Sequence, residues 1–147
     1  MAGAVRVEGL KELSDKLAAL GEAVAARNLK AAAKDAMLPT ELEARARVPV
    51  GSGIHKTYKG RTVTPGFAQR SIKRVAWAQR GAKNIVKAAV GVAREAFYAV
   101  AFLERGTSKM PARPWLVPSF EATQNQVLTR FSASLKKRIE RAAKRRK

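Results

Sequence analysis

The chain predicts an α+β fold: a small antiparallel or mixed sheet with a long β-ribbon or loop arm, packed against N-terminal helices and a long C-terminal helix. Three observations carry this expectation. Leu10, Leu13, Leu17 and Leu20 recur at spacings of three, four and three, the stripe of an amphipathic helix. Val86, Ala88, Val90 and Val92 alternate with Ile85, Lys87, Ala89 and Gly91, the period of a strand. Near the end, Phe120, Val127, Phe131, Leu135 and Ile139 fall on one helical stripe, with Gln124 and Leu128 beside it.

The 147 residues are one domain's worth, so a single domain over 1–147 is expected. A hydrophobic content of 46% argues against disorder, although alanine inflates it and aromatics are only 6%. No apolar run approaches the ~20 residues of a membrane span. The first residues lack a basic region followed by an apolar one, so no secretory signal is expected. No cysteine occurs, which excludes a disulfide framework and a thiolate metal site. A soluble protein folding in a reducing cytosol fits these features.

In chain order, residues 4–9 suit a short strand, with Val5 and Val7 on one face and Gly9 ending it. The leucine helix follows, its Lys11, Glu12, Asp15 and Lys16 on the opposite side, and Gly21 breaks it. Residues 22–47 read as a longer helix with a modest apolar seam (Val24, Leu29, Ala32, Ala36, Leu38), interrupted near Met37 and Leu38 because Pro39 lacks a backbone donor. The N-terminal helices thus span about 10–47. Residues 48–70 have glycines, prolines and hydroxyls without helical period, and predict a long loop or β-ribbon arm. His55 has no second His or Cys with which to share a metal and reads as a solvated loop residue.

The sheet is expected over about 71–93, its first strand placing Val75 and Trp77 on one face with Lys73 and Gln79, its hairpin turn at Arg80, Gly81 and Ala82. Residues 98–103 suit a third strand or a short helix, and the spacing of Phe97, Val100, Ala101 and Glu104 favours helix. Pro111, Pro114 and Pro118 then exclude a long helix or a central strand. Residues 98–118 read as a stiff arm delivering Trp115 and Leu116 to a fixed place, or, on residue types alone, as a Pro-rich loop between packed elements. The last helix runs from about 119 to 142 and ends in a basic tail.

Charge is the strongest compositional signal: 30 Lys and Arg against 11 Asp and Glu give +19. Such an imbalance attracts polyanions, namely nucleic acid, an acidic protein surface or anionic lipid. Residues 44–94 hold twelve cations and no carboxylate, whereas ordinary surfaces mix signs. The residues expected to face a polyanion are Lys56, Lys59, Arg61, Arg70, Lys73 and Arg74. Tyr58, Phe67 and Trp77 are too sparse for a base-stacking ladder, so phosphate-backbone or acidic-protein contact fits better. No phosphate-loop, dinucleotide-binding, nucleophile-elbow or zinc-protease motif occurs. Glu104 has no visible catalytic partner. A non-enzyme without cofactor or metal is expected.

One stretch is specific. Tyr98-Ala99, Phe102-Leu103-Glu104, the run from Gly106 through Thr107, Lys109, Pro111, Arg113, Pro114 and Trp115 to Leu116, and Pro118 resemble the signature of the tail-completion, or head–tail joining, proteins of tailed bacteriophages. The opening helix, the Ala/Lys-rich second helix, Val48-Pro49 and Ser71-Ile72 follow the same family order with less specificity. Two features depart from it: the enlarged arm between Gly53 and Arg70, and a longer basic tail beyond Ile139.

The resemblance implies a virion protein made in the host cytoplasm and placed at the head–tail junction. It would form a homo-oligomeric ring, a hexamer, between head-closure and tail-terminator proteins around the DNA channel. It also implies that Tyr98, Phe102, Glu104, Gly106, Thr107, Pro111, Pro114, Trp115 and Pro118 serve the signature or an interface. The competing expectation is a free-standing basic protein that contacts nucleic-acid phosphates non-specifically.

Overall fold

The leucine stripe becomes helix α1, Leu10–Ala18, in a computed structural model that describes residues 9–56, 59–81 and 85–145. The strand expected over 4–9 therefore lies outside the described residues, except for Gly9. Leu17 and Leu20 are buried, while Lys11, Glu12, Asp15 and Lys16 are exposed as an amphipathic helix requires. Gly21 separates α1 from α2, Glu22–Ala36, and a break at Met37 separates α2 from α3, Leu38–Arg47. Pro39 is the second residue of α3. Its missing N–H costs nothing there, because first-turn donors have no intrahelical partner.

The arm contains a two-residue ribbon, β1 (His55–Lys56) antiparallel to β2 (Thr62–Val63), with His55 opposite Val63 and Lys56 opposite Thr62. Its last part is not loop: residues Phe67–Ser71 form a short helix, α4, too brief to leave a period in the sequence. The second sheet pairs β3 (Ile72–Ala78) with β4 (Val86–Val92). On β3, Val75 and Trp77 are exposed with Lys73, and Ile72, Arg74 and Ala76 face inward. Residues 98–103 lie within a helix, α5 (Phe97–Arg105), so the strand alternative is excluded.

The last helix, α6, spans Leu116–Lys144, one turn earlier than its proline-based start suggested. Pro118 is its third residue rather than part of an extended arm. Phe120 is exposed, not on the buried stripe: Ser119 and Thr123 are inside instead. Ser119 tolerates burial because its hydroxyl donates to the Trp115 carbonyl.

The chain groups into two compact units, each built from several segments. The first takes residues up to 39, 74–89 and 123 onward. Its core joins Leu17, Leu20, Ala25 and Ala32 to Leu135 and Ile139, with Leu13, Val24, Leu29 and Phe131 packed against them. Burial of each leucine there stabilises by ~1.5–3 kcal/mol. Arg130 of α6 donates to the Asp35 carbonyl oxygen at 3.0 Å and adds a second tie between α6 and α2.

The second unit takes residues 40–73 and 90–122. Its buried side chains include Ala44, Val48, Ile72, Ala96, Val100 and Trp115. Arg45 organises one side of it. Its guanidinium donates to Glu41 at 2.8 Å and to the Ile72 carbonyl at 3.1 Å, while its own carbonyl accepts from Gln69 at 2.9 Å. These bonds seat α4 and the start of β3 against α3.

Candidate functional site

The signature segment folds into a closed knot within the second unit. α5 ends at Arg105, and Gly106 reverses the chain with φ 73 and ψ 178, a region that essentially only glycine occupies. Space enforces the same choice, since a Cβ there would lie 2.7 Å from the Ala112 nitrogen and 2.9 Å from the Met110 oxygen. Thr107 and Met110 then exchange backbone hydrogen bonds at 2.8 and 3.2 Å, forming an isolated bridge. The Arg113 N–H donates to the Leu103 carbonyl at 2.7 Å, so the returning strand of the loop is tied to the end of α5.

Glu104 closes the knot. Its carboxylate accepts the N–H groups of Trp115 at 2.7 Å, Leu116 at 2.9 Å and Val117 at 3.1 Å. It thus caps α6 from another helix, with negative charge at the positive end of the helix dipole. Partial burial pushes the Glu104 pKa up, and the three backbone donors more than offset it, so the carboxyl sits below the ordinary glutamate value. Trp115 is only 2% exposed and donates its ring N–H to the Val100 carbonyl at 3.3 Å. Its anchor is therefore this chain's own α5, and not a neighbouring molecule.

The knot brings together Glu104, Gly106, Thr107, Trp115 and Pro118, while Pro111 and Pro114 are exposed along the returning strand. Tyr98 and Phe102 point outward, one turn apart on α5, and Phe102 is 52% exposed. Phe97, at 63%, and Val117 and Phe120 on the first turns of α6 are exposed as well. Sequence reasoning picked out Tyr98 and Phe102 but missed the outward Phe97, Val117 and Phe120. It also found no partner for Glu104, because the donors are backbone groups eleven to thirteen residues away.

Among the cations, Lys56, Lys59 and Arg61 are exposed on or beside the ribbon, and the Arg61 guanidinium lies 5.8 Å from the Phe67 ring centre. Arg70 is exposed but committed, donating to the Pro65 carbonyl at 2.9 Å and the Thr64 hydroxyl at 2.7 Å. Lys73 is exposed and Arg74 half-buried. Arg45 and Arg47 pair with Glu41 and Glu43, carboxylates that precede the acid-free block. His55 is exposed, and Tyr58 and Lys83 lie outside the described residues.

Comparison with protein-family models, curated proteins and solved structures found no match.

Among the described residues, no group of three or more His, Cys, Asp or Glu could hold a metal ion, and no helix is long and apolar enough to cross a membrane. The second unit combines a braced segment bearing outward aromatic side chains with a ribbon bearing outward cations.

Proposed function

We propose that this chain is a structural, non-catalytic subunit of the head–tail junction of a tailed bacteriophage, assembling as a hexameric ring between head-closure and tail-terminator proteins. The supporting observation is the outward placement of Phe97, Tyr98, Phe102, Val117 and Phe120 on helices braced by the Glu104 cap. Large apolar side chains left outside a core are characteristic of surfaces that a partner covers. Bracing lowers the ordering cost of association, since the segment is already in one conformation before it meets a neighbour. The same residues carry the sequence resemblance to tail-completion proteins, which is why the partner is taken to be another copy and the adjoining rings.

The ribbon cations Lys56, Lys59 and Arg61 suit weak phosphate contact with DNA crossing the channel. Charge attraction without base readout lets the duplex slide. Light scattering and electron microscopy of the purified chain, with imaging of phage particles carrying a labelled copy, test this reading. Rings and a label at the head–tail joint are expected. A chain that stays monomeric at all concentrations, is absent from particles and binds DNA with a steep salt dependence would instead be the free-standing nucleic-acid-binding protein.

A further inference from the structure

The only acidic residue of the C-terminal 26, Glu140, shares a shallow depression with Glu12, Lys16 and Lys136. A different face of α6 meets the first turns of α2, and the charged residues lining the groove there are all cations. There, Arg138, Arg141, Lys144 and Arg145 of α6 and Arg27 of α2 line an open groove of about 870 Å³. Leu20, Val24 and Ala142 contribute apolar lining and Asn28 an amide, and among the described residues no carboxylate lines the groove. Glu22, at the start of α2, is not part of the lining. All of these residues belong to one compact unit.

Arg138, Arg141 and Arg145 are three and four residues apart, which puts them on one face of the helix with axial rises of about 4.5 and 6 Å. Arg138 makes a long 3.4 Å contact with the Ser134 hydroxyl. Among the described residues, Arg27, Arg141, Lys144 and Arg145 take part in no ion pair. Cations gathered without an anion repel each other, and a bound polyanion relieves that repulsion. Four of the five are arginines, whose planar fork matches two oxygens of a phosphate. Among the described residues the lining has no aromatic side chain, so it offers single-stranded bases no stacking platform.

We infer that the groove between α2 and the end of α6 is a sequence-independent binding site for the phosphate backbone of double-stranded DNA. The site shares no residue with the ribbon cations, and its binding is read without reference to ring assembly. It adds Arg27, which lies far from any basic run in the sequence, to the terminal cations.

Fluorescence anisotropy with a random-sequence duplex and the full-length chain, over a salt series, tests it. The variant Arg27→Gln/Arg141→Gln/Arg145→Gln should bind roughly tenfold more weakly at moderate salt and flatten the plot of log K against log salt by about 2–3. The corresponding Lys variant, which keeps the charge, should retain most of the slope. Should the triple Gln variant fail to fold by circular dichroism, Arg141→Gln alone should still lower the slope by about 1. Wild-type affinity and slope in the Gln variants would overturn the assignment. So would a polyglutamate peptide displacing the duplex at equal charge concentration, which would make the groove a dock for an acidic protein. Either failure leaves the ring proposal standing, since that is read from oligomeric state and particle position.

Discussion

Glu104 accepts the backbone N–H of Trp115 at 2.7 Å, and this bond begins a complete accounting of the first turn of α6. A helix start leaves four N–H groups without partners. Glu104 takes those of Trp115, Leu116 and Val117, and the fourth position is Pro118, which has none. Glu104→Ala should therefore destabilise the chain by about 2 kcal/mol, the range of a lost cap with charge-assisted bonds. Glu104→Gln should cost less, because one amide oxygen still accepts but the amide nitrogen faces a donor. Urea midpoints of the three proteins check the order.

The same cap makes stability depend on acid. The Glu104 pKa is lower in the folded chain than in the unfolded one, where a glutamate titrates near ~4.3. Its contribution is then fully present above the unfolded value and is lost as pH falls through the folded value. The stability advantage of wild type over Glu104→Gln should hold at neutral pH and shrink on acidification below the unfolded value. An advantage that grows in acid would show that the carboxylate is not what the donors prefer.

Gly106 is held by two constraints at once, a φ of 73 with ψ 178 and backbone atoms within 3 Å of where a Cβ would sit. Alanine already violates both, so Gly106→Ala should cost about 1–3 kcal/mol from the backbone alone, with the clash added. Gly60→Ala is the control, having φ 77 but open space around it. Thermal melts should show the first variant clearly lower than the second. Equal melting would mean that the loop relaxes away from Ala112.

Trp115→Ala removes a buried indole and should cost on the order of 3–5 kcal/mol. Trp115→Phe keeps most of the ring volume but removes the indole N–H bond to the Val100 carbonyl, a loss of about 1 kcal/mol. A melting temperature within a degree or two of wild type for Trp115→Ala would contradict the burial.

Local pattern made much of this fold legible. The leucine spacing of α1, the Gly21 and Pro39 interruptions and the β4 alternation all act through neighbours in sequence, and the structure follows them. The start of α6 was less legible, because proline is permitted in a first turn and the cap that stabilises that turn comes from α5. Phe120 misled for a related reason: residue type favoured it for the core, yet the inward positions are held by Ser119 and Thr123, whose polar atoms find partners. The cations of residues 44–94 were legible as a charge block, but their individual surroundings were not. Arg70 looks in sequence like Lys56, and only the fold reveals that it bonds Thr64 and Pro65. Arg27 carried no signal at all, since its cationic neighbours come from the far end of the chain.

The outward aromatics allow the proposed assembly to be tested apart from stability. Phe102 is 52% exposed, so Phe102→Asp removes little buried area from the monomer, and surface substitutions usually cost within ~0.5 kcal/mol. In a ring interface the same change would put a charge into an apolar contact, which costs several-fold more unless it finds a partner. The expected outcome is a chain that melts within a degree or two of wild type but no longer oligomerises in light scattering and fails to complete particles. Phe120→Asp, with Phe120 45% exposed on α6, should behave alike if both side chains meet the neighbouring subunit. Loss of monomer stability without loss of assembly would instead place Phe102 in the core of its own unit, and the docking role assigned to it would fall.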